Sequence, residues 1–325
     1  MAIRLLVVLV VLLLIQLLPY IPKYRRHDWF HRWTAHHSEN DGGAFVAWTL
    51  LPPLLVCLVL SYVLSHLPLM MVLWAIFAGY VLAYSLGPRD LERDVDAVLK
   101  APDRAGREQA AQMLRSTDDH SRMPFTAPHL VEAAVWSGLR RRFAVLFWFL
   151  LLGPVGALGY RLNRLLLVQV APDPVPDSGV THVEEEDEHA RVDATAAPPA
   201  TNAEVEPGPT RGRVVARRLG EILDWVPAHL MVFAMALVSD FDAVIKAWRA
   251  WHADPGNAAR SFDPDFLSAV ARASVDADVV AGDEGPDQDT SDALVELDDA
   301  RRLLMRVLMV WLAIAALIVL GGWFV

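Results

Sequence analysis

The sequence predicts an all-α, polytopic integral membrane protein with cytoplasmic helical segments and two disordered acidic loops. Three observations carry this. The 325 residues are 54% hydrophobic and the mean hydropathy is positive, at +0.31, outside the range of ordinary soluble domains. Four apolar runs, 2–21, 44–64, 67–86 and 303–325, reach the roughly 20 residues that a helix needs to cross about 30 Å of hydrocarbon. The charge is also segregated. Residues 171–210 carry ten acidic groups against Arg191, and 253–300 carry thirteen against Arg260 and Arg272. The rest of the chain holds 26 basic and 16 acidic residues, so the net charge of −10 hides a basic, membrane-proximal body.

Residues 1–22 form an N-terminal membrane anchor: one arginine, Arg4, precedes apolar sequence up to Pro19, and no small-x-small cleavage pattern follows. Residues 44–87 read as a transmembrane hairpin turned at Ser65-His66, with a kink at Pro52-Pro53 because proline removes a helix hydrogen bond. Residues 88–142 are an amphipathic helical segment. Leu91, Val95, Val98 and Leu99 share one helical face, Val131, Ala134, Val135, Gly138 and Leu139 share another, and Asp90 and Pro128 are candidate starts. Residues 143–170 are an interrupted membrane helix broken at Gly153-Pro154, either a kinked span or a half-inserted segment whose freed backbone groups need protein or water partners. Residues 171–212, with seven prolines between 171 and 210 and the acidic run 184–188, are a disordered linker. Residues 213–252 form a second interrupted helix, broken at Asp224-Trp225-Val226-Pro227. Residues 253–300 form an acidic loop with a few apolar clusters (Phe266-Leu267, Leu294-Val295), and 301–325 are the C-terminal transmembrane helix.

Lysine and arginine near the span ends set the orientation. Lys23, Arg25, Arg26 and Arg32 follow the first run, residues 88–142 carry ten basic groups, and Arg301, Arg302 and Arg306 precede the last run. This places the N-terminus outside, 23–43 and 88–302 inside and the C-terminus outside, with 143–160 and 223–239 returning to the cytoplasmic side. If both of those crossed, Arg161, Arg164, Arg211, Arg213, Arg217 and Arg218 would lie outside.

The chemistry-bearing residues are few. His27 and His31 have an i,i+4 spacing that could share a metal, but the interleaved Trp29, Phe30 and Trp33 fit an interfacial turn better, and no metal site is assigned. Cys57, the single cysteine, lies in an apolar run as a packing residue. The common nucleotide-binding glycine signatures are absent, and nothing points to nucleic acid. Gly153, Gly156 and Gly159 permit close helix approach, with Pro154 and Pro227 as further break residues. Candidate ligand-binding residues gather at the two interruptions: Glu132, Arg140, Arg141 and Arg161 on one side, Glu221, Asp224 and His229 on the other. Opposite charges near lipid should face each other or a wet cavity. They read either as an anion site or as a structural ion-pair seam; a Mg²⁺ or nucleotide cofactor is conceivable from paired carboxylates near arginines.

Two stretches resemble a known family. One runs Val131-Glu-Ala-Ala-Val-Trp-Ser-Gly-Leu-Arg-Arg-Arg-Phe-Ala-Val-Leu-Phe-Trp-Phe and on through Leu-Gly-Pro-Val-Gly-Ala-Leu-Gly-Tyr-Arg-Leu162; the other is Ile222-Leu-Asp-Trp-Val-Pro-Ala-His-Leu230. Together with Leu86-Gly-Pro-Arg-Asp-Leu they resemble the AmpE modulators of β-lactamase induction, in the superfamily of the CobD/CbiB cobinamide-phosphate synthases. The resemblance covers about residues 44–250 and the last span. It implies a bacterial inner-membrane regulatory protein, with the lipid bilayer and an anionic cell-wall-derived or nucleotide ligand as partners. The alternative it implies is a membrane-embedded nucleotide-dependent ligase or transferase. The synthases carry Glu-Asn-x-x-Asp-Gly where this chain has Trp136-Ser137-Gly138-Leu139-Arg140-Arg141, and Asp-Asp-x-x-Asn where it has Gly220-Glu221-Ile222-Leu223-Asp224. Their metal-dependent chemistry is therefore poorly supported here, and His229 replaces their arginine. No catalytic residue is assigned.

Overall fold

A chain with this much apolar sequence satisfies its backbone within helices, and the computed structural model is helical throughout: 91% helix, with no strand among the described residues. These are 2–17, 28–34, 42–66, 71–86, 91–115, 123–169, 211–258, 262–279 and 288–322. The elements are α1 (Ala2–Leu17), α2 (Asp28–Thr34), α3 (Gly43–His66), α4 (Met71–Ser85), α5 (Leu91–Lys100), α6 (Arg104–Leu114), α7 (Ala127–Gly138), a π-helical turn (Leu139–Phe143), α8 (Ala144–Leu152), α9 (Pro154–Gln169), α10 (Arg211–Val238), α11 (Phe241–Ala253), α12 (Pro255–Ala258), α13 (Phe266–Val279) and α14 (Gln288–Leu320).

Among the described residues, three helices are long and apolar enough to cross a membrane: α3, α10 and residues Ala293–Leu320 of α14. The shorter α1 and α4 are equally apolar and pair with each other, Gly79 lying against Val7 and Val11. Leu6, Leu13, Leu55, Val56, Val59, Phe233, Leu317 and Leu320 are exposed, an apolar surface that suits lipid rather than water. Cys57 is buried among packing residues, as expected.

The 88–142 segment folds as α5, α6 and α7. Leu91, Val95 and Val98 are buried as their spacing requires, and so are Val131, Ala134, Val135, Gly138 and Leu139; Pro128 lies in the first turn of α7. This layer is tied by charge to its neighbours: Arg142 to Glu92 at 3.1 Å, Arg141 to Asp94, and Arg301 of α14 to Asp96 at 2.8 Å.

Two expectations are corrected. The acidic stretch 253–300 is not simply a loop. Phe266, Leu267, Val270, Ala271, Ser274 and Val275 form one buried stripe of α13, which packs on α7 and α11, and residues from 288 onward begin α14. Averaged composition hides this apolar stripe. The disordered linker assigned to 171–210 lies outside the described residues, as do Asp90, His27, His36 and His37.

The second correction concerns the interruptions. At Gly153 the chain does break: φ is +74° and ψ −153°, a conformation open to glycine and almost nothing else. α9 then folds back on α8. A Cβ at Gly156 would stand 2.4 Å from the Trp148 carbonyl oxygen, which only such a reversal brings near. At Pro227, by contrast, α10 continues unbroken to Val238, and the chain turns at Ser239-Asp240, where the Asp240 side chain accepts from the Asp242 and Ala243 amides. α3 likewise runs through Pro52 and Pro53 as one helix.

A shared device meets the carbonyls that three of these prolines orphan. Proline at position i leaves the carbonyl at i−4 without its donor. For Pro227 that carbonyl is Leu223, and Trp148 Nε1 donates to it at 3.1 Å. For Pro53 it is Thr49, and Trp33 Nε1 donates to it at 3.3 Å. For Pro154 it is Leu150, which Arg4 Nη1 reaches at 3.1 Å while also donating to Leu151 O at 2.9 Å.

Candidate functional site

The π turn aims three consecutive arginines at three different partners, a dispersal that a widened turn allows. Arg141 is drawn to Asp94 and to the Met113 carbonyl, and Arg142 goes to Glu92. Arg140 lies over the Trp136 ring, 4.5 Å from its centre, with Nε 3.4 Å from Asp224 Oδ2.

Asp224 is the centre of the site. It is buried at 1% exposure, deep enough that an unmatched charge would be untenable. The Tyr160 hydroxyl donates to Oδ1 at 2.6 Å, and Arg164 Nη1 lies 3.7 Å from Oδ2. Tyr160, Asn163 and Arg164 occupy one face of α9 by their i, i+3, i+4 spacing. They meet the small-residue stripe of α10, where Gly212, Ala216, Gly220 and Asp224 are buried in succession. Gly220 lets α9 approach closely: a Cβ there would stand 3.2 Å from Leu167 Cδ1, 3.3 Å from Asn163 Nδ2 and 3.7 Å from Arg164 Nη1. Arg161, on the next face, lies within electrostatic range of Tyr84, Tyr160, Arg141 and Arg164.

Of the sequence-derived candidates, Arg140 and Asp224 come together, and Arg161 lies within electrostatic range of Arg141 instead. Arg141 belongs instead to the α5–α6 side of the π turn. Glu132 pairs with Arg272 of α13 at 2.9 Å, and Glu221 forms an exposed i,i+4 pair with Arg217 at 3.2 Å. His229 sits in a separate ring cluster with Trp225, Trp248, His252 and Phe266, its Nδ1 2.9 Å from the Trp225 carbonyl oxygen. Tyr160, Asn163 and Arg164 were missed. Their helical spacing signalled a shared face, but only the fold-back at Gly153 turns that face toward Asp224.

One carboxylate flanked by two guanidiniums does not fit a Mg²⁺ ion, which takes an oxygen-rich shell. Among the described residues no group of three or more His, Cys, Asp or Glu side chains could hold a metal ion. The donor set suits an anion, since arginine pairs well with carboxylate and phosphate.

No protein-family model matches the chain, and neither a curated protein nor a solved structure matches it.

Proposed function

We propose that the chain is a multi-pass regulatory protein of the bacterial inner membrane, of AmpE type, modulating β-lactamase induction in response to an anionic ligand. One observation carries this reading: the two segments in which the resemblance was found interlock around a single buried centre. Trp148 of the first fills the proline gap of the second at Leu223, and Tyr160 and Arg140 of the first engage Asp224 of the second. The ligase alternative draws no support from this centre, because its carboxylate is engaged by cations rather than grouped with further acids.

In this reading α1, α3, α4 and α14 cross the bilayer with the N-terminus outside, and α8–α9 is a re-entrant hairpin. Its tip, Gly153, meets Arg4 at the outer end of α1, while Arg140 lies about 20 Å below it at about 1.5 Å per residue. α10, being unbroken, lies across the hairpin with both ends on the arginine-rich side instead of entering and returning. Its start lies at Gly42, at the base of α3, and its end leads through α11 to α13, which is bonded to α7 by Trp136–Ser268 and Glu132–Arg272. Reporter fusions within 171–210 should therefore read cytoplasmic, and a periplasmic signal there would overturn this topology.

The functional test uses cells with an inducible β-lactamase, carrying the wild type, Asp224→Asn or Arg140→Gln. Induction should change in both variants while protein level is retained. Normal induction from both would refute the reading.

A further inference from the structure

Thr49 and Asn163 are fully buried neutral polar side chains, and among the described residues Thr49 Oγ1, Asn163 Oδ1 and Asn163 Nδ2 have no hydrogen-bond partner. Leaving such atoms unmet is costly, and folded proteins do so rarely and for a reason. The two residues belong to one junction. Val46 and Leu50 flank Thr49 on α3, Leu162 and Leu166 flank Asn163 on α9, and all four pack in one cluster with Ala216 of α10. Gly42 of α3 lies opposite Arg211 of α10, and Gly159 of α9 opposite Leu54 of α3. With those contacts as registers, Thr49, Asn163 and Gly220 fall at a common level between the three helices. Gly220 forms a cradle that a methyl group would fill, and Asn163 Nδ2 and Arg164 Nη1 converge on it at 3.3 and 3.7 Å from that point.

We propose that this α3–α9–α10 junction binds a small oxyanion of the phosphate class, which deepens the ligand-site reading above and rests on it. The amide of Asn163 and the hydroxyl of Thr49 supply neutral donors, and the guanidinium of Arg164 supplies the charge-assisted one. Asp224, held by Tyr160 on its other oxygen, positions Arg164 from the side. A water could satisfy Thr49 and Asn163, but the guanidinium of Arg164, which converges with Asn163 on Gly220, selects an anion. The phosphate comes either from free solute or from a lipid headgroup, since the junction lies at the base of the re-entrant hairpin.

The test uses the full-length protein in detergent, melted in inorganic phosphate and in chloride at matched ionic strength, with Asn163→Leu and Gly220→Ala alongside. Asn163→Leu removes unmet polar atoms and should fold at least as well as the wild type. Phosphate should raise the wild-type melting temperature saturably, and both variants should bind about tenfold more weakly or worse. Native mass spectrometry identifies the source: phospholipid retained by the wild type and lost from Asn163→Leu assigns a lipid headgroup, and phosphate stabilisation without retained lipid assigns the free ion. An equal phosphate response in wild type and Asn163→Leu would overturn the site. So would the absence of both a phosphate response and retained lipid, with water left as the occupant. Because neither readout involves β-lactamase, Asn163-dependent binding together with normal induction from Asp224→Asn would remove the regulatory reading and leave the site standing.

Discussion

Gly153-Pro154 and Pro227 look alike in the sequence, each a proline in an apolar helical run, yet one reverses the chain and the other leaves a continuous 28-residue helix. The difference lies in the preceding residue. Gly153 can adopt φ +74° with ψ −153°, so the helix ends there and the next one folds back. Val226 cannot, and the single carbonyl that Pro227 orphans, Leu223 O, is met by Trp148 from the hairpin itself. Proline removes one hydrogen bond in both places and a neighbouring side chain replaces it in both, so the break follows from the glycine that precedes Pro154.

The largest expected effect comes from preventing the reversal. Gly156→Ala places a methyl 2.4 Å from a backbone oxygen and 2.7 Å from Leu152 Cβ, neither of which can yield cheaply. A loss of about 3 kcal/mol is expected, read as denaturant-induced unfolding in detergent. Gly153→Ala should cost nearly as much, about 1–3 kcal/mol, through backbone strain alone. If both variants unfold like the wild type, the hairpin does not exist.

Next comes the proline gap in α10. Trp148→Phe keeps an aromatic ring but removes the N–H that serves Leu223, and should cost about 1–3 kcal/mol. Pro227→Ala restores a backbone donor, so in that background Trp148→Phe should cost far less. A double-mutant cycle measures this coupling, and strict additivity would show that the indole bond contributes nothing.

The sequence disclosed the helical class, the faces of α5 and α7, and the break at Gly153, because hydrophobic periodicity and glycine chemistry are local. It misplaced the break in α10, because continuity through Pro227 depends on a tryptophan 79 residues earlier. It set Arg140, Arg141 and Arg161 against Glu221, Asp224 and His229 by charge, but it could not single out Arg140 and Asp224, because the π turn sends Arg140 to α10 and Arg141 and Arg142 to α5. Thr49 carried no sequence signal, and Asn163 only its helical spacing: a polar residue in an apolar run becomes informative only when its neighbours are known.

At the hairpin tip, Arg4→Met keeps the apolar stem and removes the donors to Leu150 and Leu151. The expected loss is about 1 kcal/mol, smaller than for Trp148→Phe because water can reach the bond to Leu151, which is exposed. Proteolytic nicking near Gly153 in intact spheroplasts should rise in this variant. No change in either quantity would mean that the tip is held by packing alone.

The smallest effect lies away from both interruptions and serves as their control. Asp96 of α5 is held below the usual carboxylate value, first by a hydrogen bond from Lys100 against an opposing contribution from burial, and then by the charges of Lys100 and Arg301. A carboxylate whose folded pKa is depressed stabilises the fold above its unfolded value of about 3.9, and that contribution disappears as pH falls through the folded value. Asp96→Asn should therefore flatten the acid limb of the stability profile below about pH 4 and leave neutral stability within about 1 kcal/mol, because its partners are solvent-screened. The costs of Gly156→Ala and Trp148→Phe come from steric overlap and an orphaned carbonyl, which do not titrate, so they should hold constant across the same pH range. A cost that fell with Asp96 protonation would tie the hairpin to the α5 ion pairs and dissolve the distinction between the two interruptions.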